Sequence, residues 1–300
     1  MILSEALQSV TQTLRRAEIA DPSVEAEVLL GHVLGMSKTG LYTEPERNLT
    51  SAEGERLRHL VRRRLDREPA AYVLGHCEFY GIDFYVDSRT LIPRPETELL
   101  VEKAVELARR IAHQGEQTAM ADIGTGCGAI AISLALALPE TKIYATDISA
   151  AALKVAEVNC RRHGVNGRVE LLQGDLLEPL PEAVDLIVAN LPYVKDCEVV
   201  DLSPEIRDNE PMIALAGGRD GLDKIREMLE QMRAKKSACP GEGPAYLVLE
   251  IGQGQGEMVT SLVNDCFPGA SIGLISDPGG IERVMKVGLQ AGMALLESKI

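Results

Sequence analysis

The sequence predicts an α/β fold, a mostly parallel sheet with helices on both faces, preceded by a small helical bundle and a β-hairpin. Three observations predict it. Beyond about residue 91, short apolar runs alternate with stretches of helical periodicity, the pattern of repeated strand-helix units. One such run, Ala119-Met120-Ala121-Asp122-Ile123, passes into Gly124-Thr125-Gly126-Cys127-Gly128-Ala129 and then a helical pattern from Ile130 to Leu138, which reads as strand, tight turn and helix. Before about residue 70, apolar side chains recur at helical spacing only.

In chain order, Ile2, Leu3, Ala6, Leu7, Val10 and Leu14 share one face of a first helix. Asp21-Pro22 offers an N-cap followed by proline at the first helical position, opening a second helix over 24–34. Thr50 with Glu53 makes a capping box for a third, whose apolar face is Leu57, Leu60, Val61 and Leu65. Its run Arg62-Arg63-Arg64 reads as a solvated helix face, with contact to a polyanion as the other reading. A hairpin follows over 78–86, its turn near Gly81-Ile82-Asp83. Then come a helix over 96–111, the strand, turn and helix already described, a strand over 142–147, a helix over 150–162 and a strand over 169–174. The remainder reads as a strand over 184–189, a helix over 221–233, a strand over 245–251, a helix over 256–266 and strands near 271–276 and 283–289. A Gly- and Pro-containing loop, Cys239-Pro240-Gly241-Glu242-Gly243-Pro244, precedes the 245–251 strand.

Candidate functional residues gather where these strands end, the edge at which open α/β sheets bind ligands. Glycines let a backbone approach a ligand closely, and the following helix supplies unpaired N–H groups. Counted from Gly124, the turn fits a dinucleotide fingerprint with Ala129 in the last small position. Asp122 just before the glycines, suited to the amino-acid end of S-adenosylmethionine, and the Gly-x-Gly-x-Gly spacing favour that cofactor instead. Asp147 closes its strand where an acid takes ribose hydroxyls, and Asp175 follows 169–174 where a carboxylate can face an adenine amine. Each aspartate also has an ordinary reading as a helix cap or turn residue. The strand over 184–189 stops in Asn190-Leu191-Pro192-Tyr193. Pro192 holds Leu191 extended, so the Asn190 side-chain oxygen and a backbone carbonyl can converge on one planar NH2 group, whose nitrogen is otherwise a poor nucleophile. Asn-x-Pro also occurs in plain turns.

Composition bounds the function. With 45% apolar and 25% charged residues the chain reads as a soluble globular protein, and no apolar run approaches a membrane span. Met1-Ile2-Leu3-Ser4-Glu5 lacks the basic flank of a signal peptide, so the cytoplasm is the expected compartment. Cys77, Cys127, Cys160, Cys197, Cys239 and Cys266 form no Cys-x-x-Cys pair, and neither a metal site nor a disulfide framework is expected. His76-Cys77 read as structural, and His32, His59, His76, His113 and His163 all fall away from the strand-end cluster. A formal net charge of −14 argues against a general nucleic-acid binder.

Several segments together resemble the peptide chain release factor glutamine methyltransferase family across nearly the whole chain. They are Ala71-Tyr72-Val73-Leu74-Gly75, Glu78-Phe79-Tyr80-Gly81, Leu91-Ile92-Pro93-Arg94-Pro95-Glu96-Thr97-Glu98, the glycine turn, Asn190-Leu191-Pro192-Tyr193, Glu210-Pro211, Ala214 through Leu222, and Glu250-Ile251-Gly252. The resemblance implies a helical substrate-recognition domain over 1–72, a β-hairpin linker over 73–90, and a class I methyltransferase domain over 91–300, Rossmann-like with a seven-stranded, mostly parallel sheet. It implies methylation of the glutamine in the Gly-Gly-Gln motif of class-I release factors, which affects translation termination, with no membrane and no direct nucleic-acid substrate. By resemblance the cofactor S-adenosylmethionine contacts Gly124, Thr125, Gly126, Cys127, Gly128, Asp147 with Ile148, Leu176 beside Asp175, and Asn190. Asn190, Leu191, Pro192 and Tyr193 take the glutamine, Tyr193 packing on its amide, and Arg94, Glu96 and Glu98 shape the pocket. The plain reading is that Arg94 pairs with Glu96 while Glu98 sits in the first turn of a helix. The family usually has Asn-Pro-Pro-Tyr; here Leu191 stands second, and its carbonyl remains an acceptor. Asn-Leu-Pro-Tyr also resembles the motif of ribosomal RNA adenine dimethyltransferases. An RNA adenine amine and a ribosomal-protein glutamine therefore stay open as alternative substrates. A dinucleotide-dependent oxidoreductase and a binding module without catalysis are the readings from other classes.

Overall fold

The computed structural model describes residues 1–112, 119–238 and 246–289; His113 and the Cys239 to Pro244 loop lie outside them. In chain order the elements are α1 (Leu3–Arg16), α2 (Pro22–Leu34), α3 (Lys38–Thr43), α4 (Ser51–Leu65), α5 (Ala70–Leu74), β1 (His76–Phe79), β2 (Ile82–Tyr85), α6 (Thr97–Ala112), β3 (Ala119–Ile123), α7 (Ala129–Ala137), β4 (Lys142–Asp147), α8 (Ala150–Arg162), β5 (Val169–Gln173), β6 (Leu186–Ala189), α9 (Pro204–Arg207), α10 (Asp223–Ala238), β7 (Tyr246–Glu250), α11 (Gly256–Cys266), β8 (Ser271–Ser276) and β9 (Glu282–Gly288). Two compact units emerge, one of Met1–His76 with Ser203–Asn209, the other of Cys77–Leu202 with Glu210–Ile300.

In the helical unit, Leu3, Ala6, Val10 and Leu14 of α1 bury against Ala26, Leu29, Leu30 and Val33 of α2, with Leu57 of α4 closing the core. The capping box forms as read: Thr50 Oγ1 accepts from the Glu53 N–H at 3.2 Å, and a Glu53 oxygen accepts from the Thr50 N–H at 2.7 Å. Asp21 does occupy the N-cap position of α2, but in a left-handed conformation whose side chain accepts no capping hydrogen bond. The arginine run departs from the solvated-face reading. Arg63 grips Glu68 and donates to the carbonyls of Val73 and Tyr72, while Arg64 is buried between Glu25 and Glu205. Arg67 also reaches Glu205 and the Ala17 carbonyl. Arg64 and Arg67 thus tie α4 and the turn after it to α9.

The hairpin turns one residue earlier than the sequence suggests. Tyr80 and Gly81 both take positive φ, 53° and 70°, the pair of left-handed residues a type I′ turn needs, and Ile82 and Asp83 therefore pair within β2. Helix α10 starts at Asp223 because Gly221, at φ 78°, cannot open it.

The seven-stranded sheet runs β5-β4-β3-β6-β7-β9-β8, parallel from β5 to β7 with β9 antiparallel to both its neighbours. Helix α7 is apolar apart from Ser133 and buried from Ala129 to Ala135. The sheet's central strands are equally buried, as strands covered on both faces must be. The chain builds outward from β3 to β5 and then returns to the other side of β3, so the switch point lies between β3 and β6. Register aligns Ile123, Ala189 and Leu249 in one row. One residue further on stand Gly124, Asn190 and Glu250.

Candidate active site

A cavity of about 210 Å3 opens at these strand ends. Of the residues singled out from sequence, Gly124, Gly126, Asp147, Ile148, Asp175, Leu176, Asn190, Leu191 and Pro192 line it. Asp122, Thr125, Cys127, Gly128, Tyr193, Arg94 and Glu96 do not.

The glycine turn is held from beneath. The Gly124 and Thr125 N–H groups both donate to the Thr146 carbonyl at 2.9 Å, and Gly124, Gly126 and Gly128 take φ of 76°, 58° and 85°. A Cβ on Gly128 would press on Ile132 and Ala156 at 3.1 and 3.3 Å, so this glycine serves the packing of α7 on α8. A Cβ on Gly126 would meet nothing within 4 Å, which leaves its backbone open to close approach by a ligand. Cys127 is buried, its thiol pushed up to about 12 by loss of solvent, and its carbonyl accepts from Asn159 Nδ2 at 2.9 Å. Asn159, buried on α8, also exchanges two hydrogen bonds with the Tyr85 backbone. The sequence reading missed it, since an asparagine inside a helix carries no local signal.

Asp122 lies under the turn. Its Oδ2 accepts from Thr125 Oγ1 at 2.6 Å and from the Ala131 N–H at 3.1 Å, while Oδ1 is buried with no hydrogen-bond partner among the described residues. Burial raises its carboxyl to about 7. Asp147 does face the cavity; its oxygens accept from the Gly126 and Ser149 N–H groups, both at 2.8 Å, which leaves lone pairs for a ligand. Beside it Ile148 is exposed, an apolar face offered at the cavity rim. Leu176 holds a left-handed φ of 51°, unusual for a branched residue, and its carbonyl accepts from Thr146 Oγ1 at 2.9 Å. Asp175 lies 3.4 Å from Lys224 Nζ, a cavity residue that the sequence did not single out.

Asn190 emerges from β6 with its side-chain NH2 turned inward, Nδ2 donating to Thr97 Oγ1 at 3.1 Å. Its Oδ1 accepts nothing among the described residues and is left for the cavity that Asn190 lines. Leu191, buried, packs against Gly124: a Cβ there would stand 3.2 Å from Leu191 Cδ2. Gln255 Nε2 donates to the Tyr193 carbonyl at 3.1 Å, and the Val194 N–H to the Leu215 carbonyl at 3.0 Å. Gly217 and Gly221 come so close that a Cβ would fall 2.6 Å from the Pro192 carbonyl oxygen and 2.4 Å from that of Tyr193. The turn's rigidity therefore comes from a packed loop as well as from Pro192.

The Tyr193 ring lies against Gly252, its hydroxyl 3.4 Å from Glu250 Oε1, and burial pushes that hydroxyl up to about 12. Tyr193 is not among the residues that line the cavity. Arg94 pairs with Glu210 at 2.6 Å and not with Glu96, which is exposed. Glu210 also accepts from the Ile92 N–H, and thus fastens the Leu91-to-Glu98 segment to the loop that returns to Pro211. Glu98 is in the first turn of α6, accepting from the Tyr80 N–H at 2.8 Å.

Residues 5–75 match the family described as PrmC N-terminal domain, and 97–206 the family described as Methyltransferase small domain. The chain is 40% identical over 273 residues to the release factor glutamine methyltransferase of Geobacter sulfurreducens, covering 89% of each chain. The chain belongs to the release factor glutamine methyltransferase family. The Koribacter versatilis member is 37% identical over 95% of this chain and 98% of its own, and the Moorella thermoacetica member 41% identical over 87% and 89%. Among solved structures, the human Mettl16 catalytic domain in complex with a MAT2A 3′UTR hairpin superposes with a TM-score of 0.56, covering 82% of this chain and 85% of that one. At 12% identity that likeness shows the fold alone.

Proposed function

We propose that this release factor glutamine methyltransferase family member transfers a methyl group from S-adenosylmethionine to the glutamine side-chain nitrogen of the Gly-Gly-Gln motif in class-I release factors, in the cytoplasm. The observation that carries the reading is Asn190, whose NH2 is engaged by Thr97 so that its oxygen is presented to the cavity beside the Leu191 backbone. S-adenosylmethionine supplies an electrophilic methyl group on a sulfonium. Asp147 takes its ribose hydroxyls, Ile148 and Leu176 border its base with Asp175 at the exocyclic amine, and Gly126 gives it room. The carboxylate of Asp122 beneath the turn favours its cationic end.

The glutamine nitrogen is a weak nucleophile because its lone pair is delocalised. Asn190 Oδ1 and the Leu191 carbonyl accept its two N–H groups and fix the lone pair toward the electrophile. As positive charge develops on nitrogen, the same two acceptors bind it more tightly than they bound the neutral amide, which is where the rate is gained. The methylated amide then loses a proton to water. Pro192, Tyr193 and the Arg94–Glu210 pair act by holding this geometry. The helical unit docks the body of the release factor, a surface larger than one side chain.

Two measurements test the reading. Tritiated S-adenosylmethionine is incubated with the chain and either a purified release factor, a variant whose motif reads Gly-Gly-Ala, ribosomal proteins or ribosomal RNA. Label is expected in the first alone, on a glutamine amide; label in RNA or in a ribosomal protein overturns the assignment. Calorimetry should show S-adenosylmethionine binding, and NADH binding in its place would point to an oxidoreductase.

A further inference from the structure

Two cationic side chains line the cavity among the described residues, Arg89 and Lys224. Arg89 closes on Asp87, two residues before it. Lys224 stands in the first turn of α10, whose Ile225, Met228 and Leu229 are buried in the core of the sheet unit and so fix where the lysine stem begins. A cation in a first turn opposes the helix dipole, and lysine ahead of glutamate is the weaker order for an ion pair along a helix. Helix stability therefore does not account for this residue.

Its Nζ lies 2.7 Å from Glu227 Oε2 and 3.4 Å from Asp175 Oδ1, the aspartate beyond β5 that also lines the cavity. An ammonium has three protons, and these acceptors take two. The third has no acceptor among the described residues, and Asp175 Oδ2 has no donor among them. The hydrogen bond to Glu227 and the charge of Asp175 raise the lysine pKa, so the ammonium stays charged at neutral pH. A free N–H and a free carboxylate oxygen thus stand together on one wall of the cavity.

We propose that Lys224 is a specificity-determining residue for the base of the cofactor: while Asp175 accepts from the exocyclic amine, the Lys224 ammonium donates to adenine N1, the ring nitrogen beside that amine. The inference rests on the S-adenosylmethionine reading above and deepens it. With the ribose at Asp147, the edge of adenine farthest from the sugar carries the amine and N1, and that edge meets Asp175 and Lys224. Acceptor beside donor is the complement of this edge. Hypoxanthine offers the reverse, a carbonyl oxygen beside an N–H, and sets its oxygen against the Asp175 carboxylate.

Calorimetric titration of the full chain with S-adenosylhomocysteine and its 1-deaza and 7-deaza analogues tests this without turnover. The parent should bind the 1-deaza compound, which lacks the N1 acceptor, roughly tenfold more weakly than the natural base. In Lys224→Met that ratio should fall to within about twofold, and Lys224→Arg, which keeps a donor, should restore most of it. Comparing ratios cancels whatever the substitution does to Asp175 or to overall affinity, so a merely structural lysine would leave the ratio unchanged. The ratio for the 7-deaza compound, which keeps N1, should be the same in parent and variant. A 1-deaza penalty that persists in Lys224→Met assigns N1 to the Leu176 backbone N–H and overturns the inference. So does a parent with no 1-deaza penalty, or a 7-deaza penalty that disappears with the lysine. The Lys224 side chain is 35% exposed, so its replacement leaves the core intact. A parent that binds none of the three compounds would overturn the proposed function instead, a result separate from these.

Discussion

In the helical unit, Arg64 is 3% exposed and meets a carboxylate on either side, Glu25 at 2.5 and 2.9 Å and Glu205 at 3.1 Å. In the sheet unit, Asp122 and Glu250 are at most 1% exposed, yet each retains an oxygen that no donor among the described residues reaches. An unpaired buried polar atom costs on the order of 1–3 kcal/mol, and burial of an ionised one costs more. The first arrangement is what structure alone requires. The second persists at the ends of β3 and β7. Completeness of pairing thus separates the two kinds of buried charge in this molecule.

The sharpest way to break this comparison is to unpair the paired side. Arg64→Ala strands Glu25 and Glu205 and should destabilise the helical unit by about 3 kcal/mol or more, read as an earlier first transition in denaturant while methylation of a short Gly-Gly-Gln peptide by the folded chain persists. A single transition at the parental midpoint would mean that Arg64 contributes little. Next in size, Asn190→Ala should slow turnover by about 100-fold with cofactor affinity nearly unchanged, because it removes an acceptor used most in the transition state. Parental turnover would reduce Asn190 to a turn residue.

Asp122 should show the energetic cost of incomplete pairing through pH. Its folded carboxyl, near 7, lies above its ordinary 3.8, so the stability it contributes is full below about pH 4 and lost as pH rises through 7. Asp122→Asn cannot titrate. Its stability relative to the parent should therefore improve between pH 5 and pH 8, by on the order of 2 kcal/mol. A difference independent of pH would show Asp122 to be ionised throughout. The smallest effect is expected from Leu191→Pro, which supplies the usual family residue. Since the loop around Gly217 and Gly221 already fixes the turn, kcat should change by less than about threefold, with a modest loss of Tm as the Leu191 contact with Gly124 goes.

The order of these effects matches what a single sequence can reveal. Gly124, Gly126, Asp147 and Asn190 were legible because each sits at a strand end marked by its own neighbours, and glycine, proline and terminal aspartate have strong local signatures. Thr97 lay in a recognisable segment, but its hydrogen bond with Asn190 joins residues 93 apart, and no periodicity states that. The contact of the Tyr193 ring with Gly252 was illegible for the same reason. Arg94 was read as an ion-pair partner, yet its acid proved to be Glu210, more than a hundred residues away and invisible to local pattern. Within the arginine run Arg62 is exposed as read, whereas Arg64 misled because charge in a helix normally means solvent, and its partners Glu25 and Glu205 come from α2 and α9.

That partner has a consequence for biosynthesis. Glu205 lies 141 residues beyond Arg64. At a synthesis rate of about 5–20 residues per second, the arginine waits roughly 7–30 s before its second carboxylate exists. The helical unit therefore lacks its Glu205 pairings while the ribosome is making it. An N-terminal region that looks autonomous in sequence is completed only after most of the sheet has been translated, and a cut near residue 72 would leave Glu205 without either of its arginines.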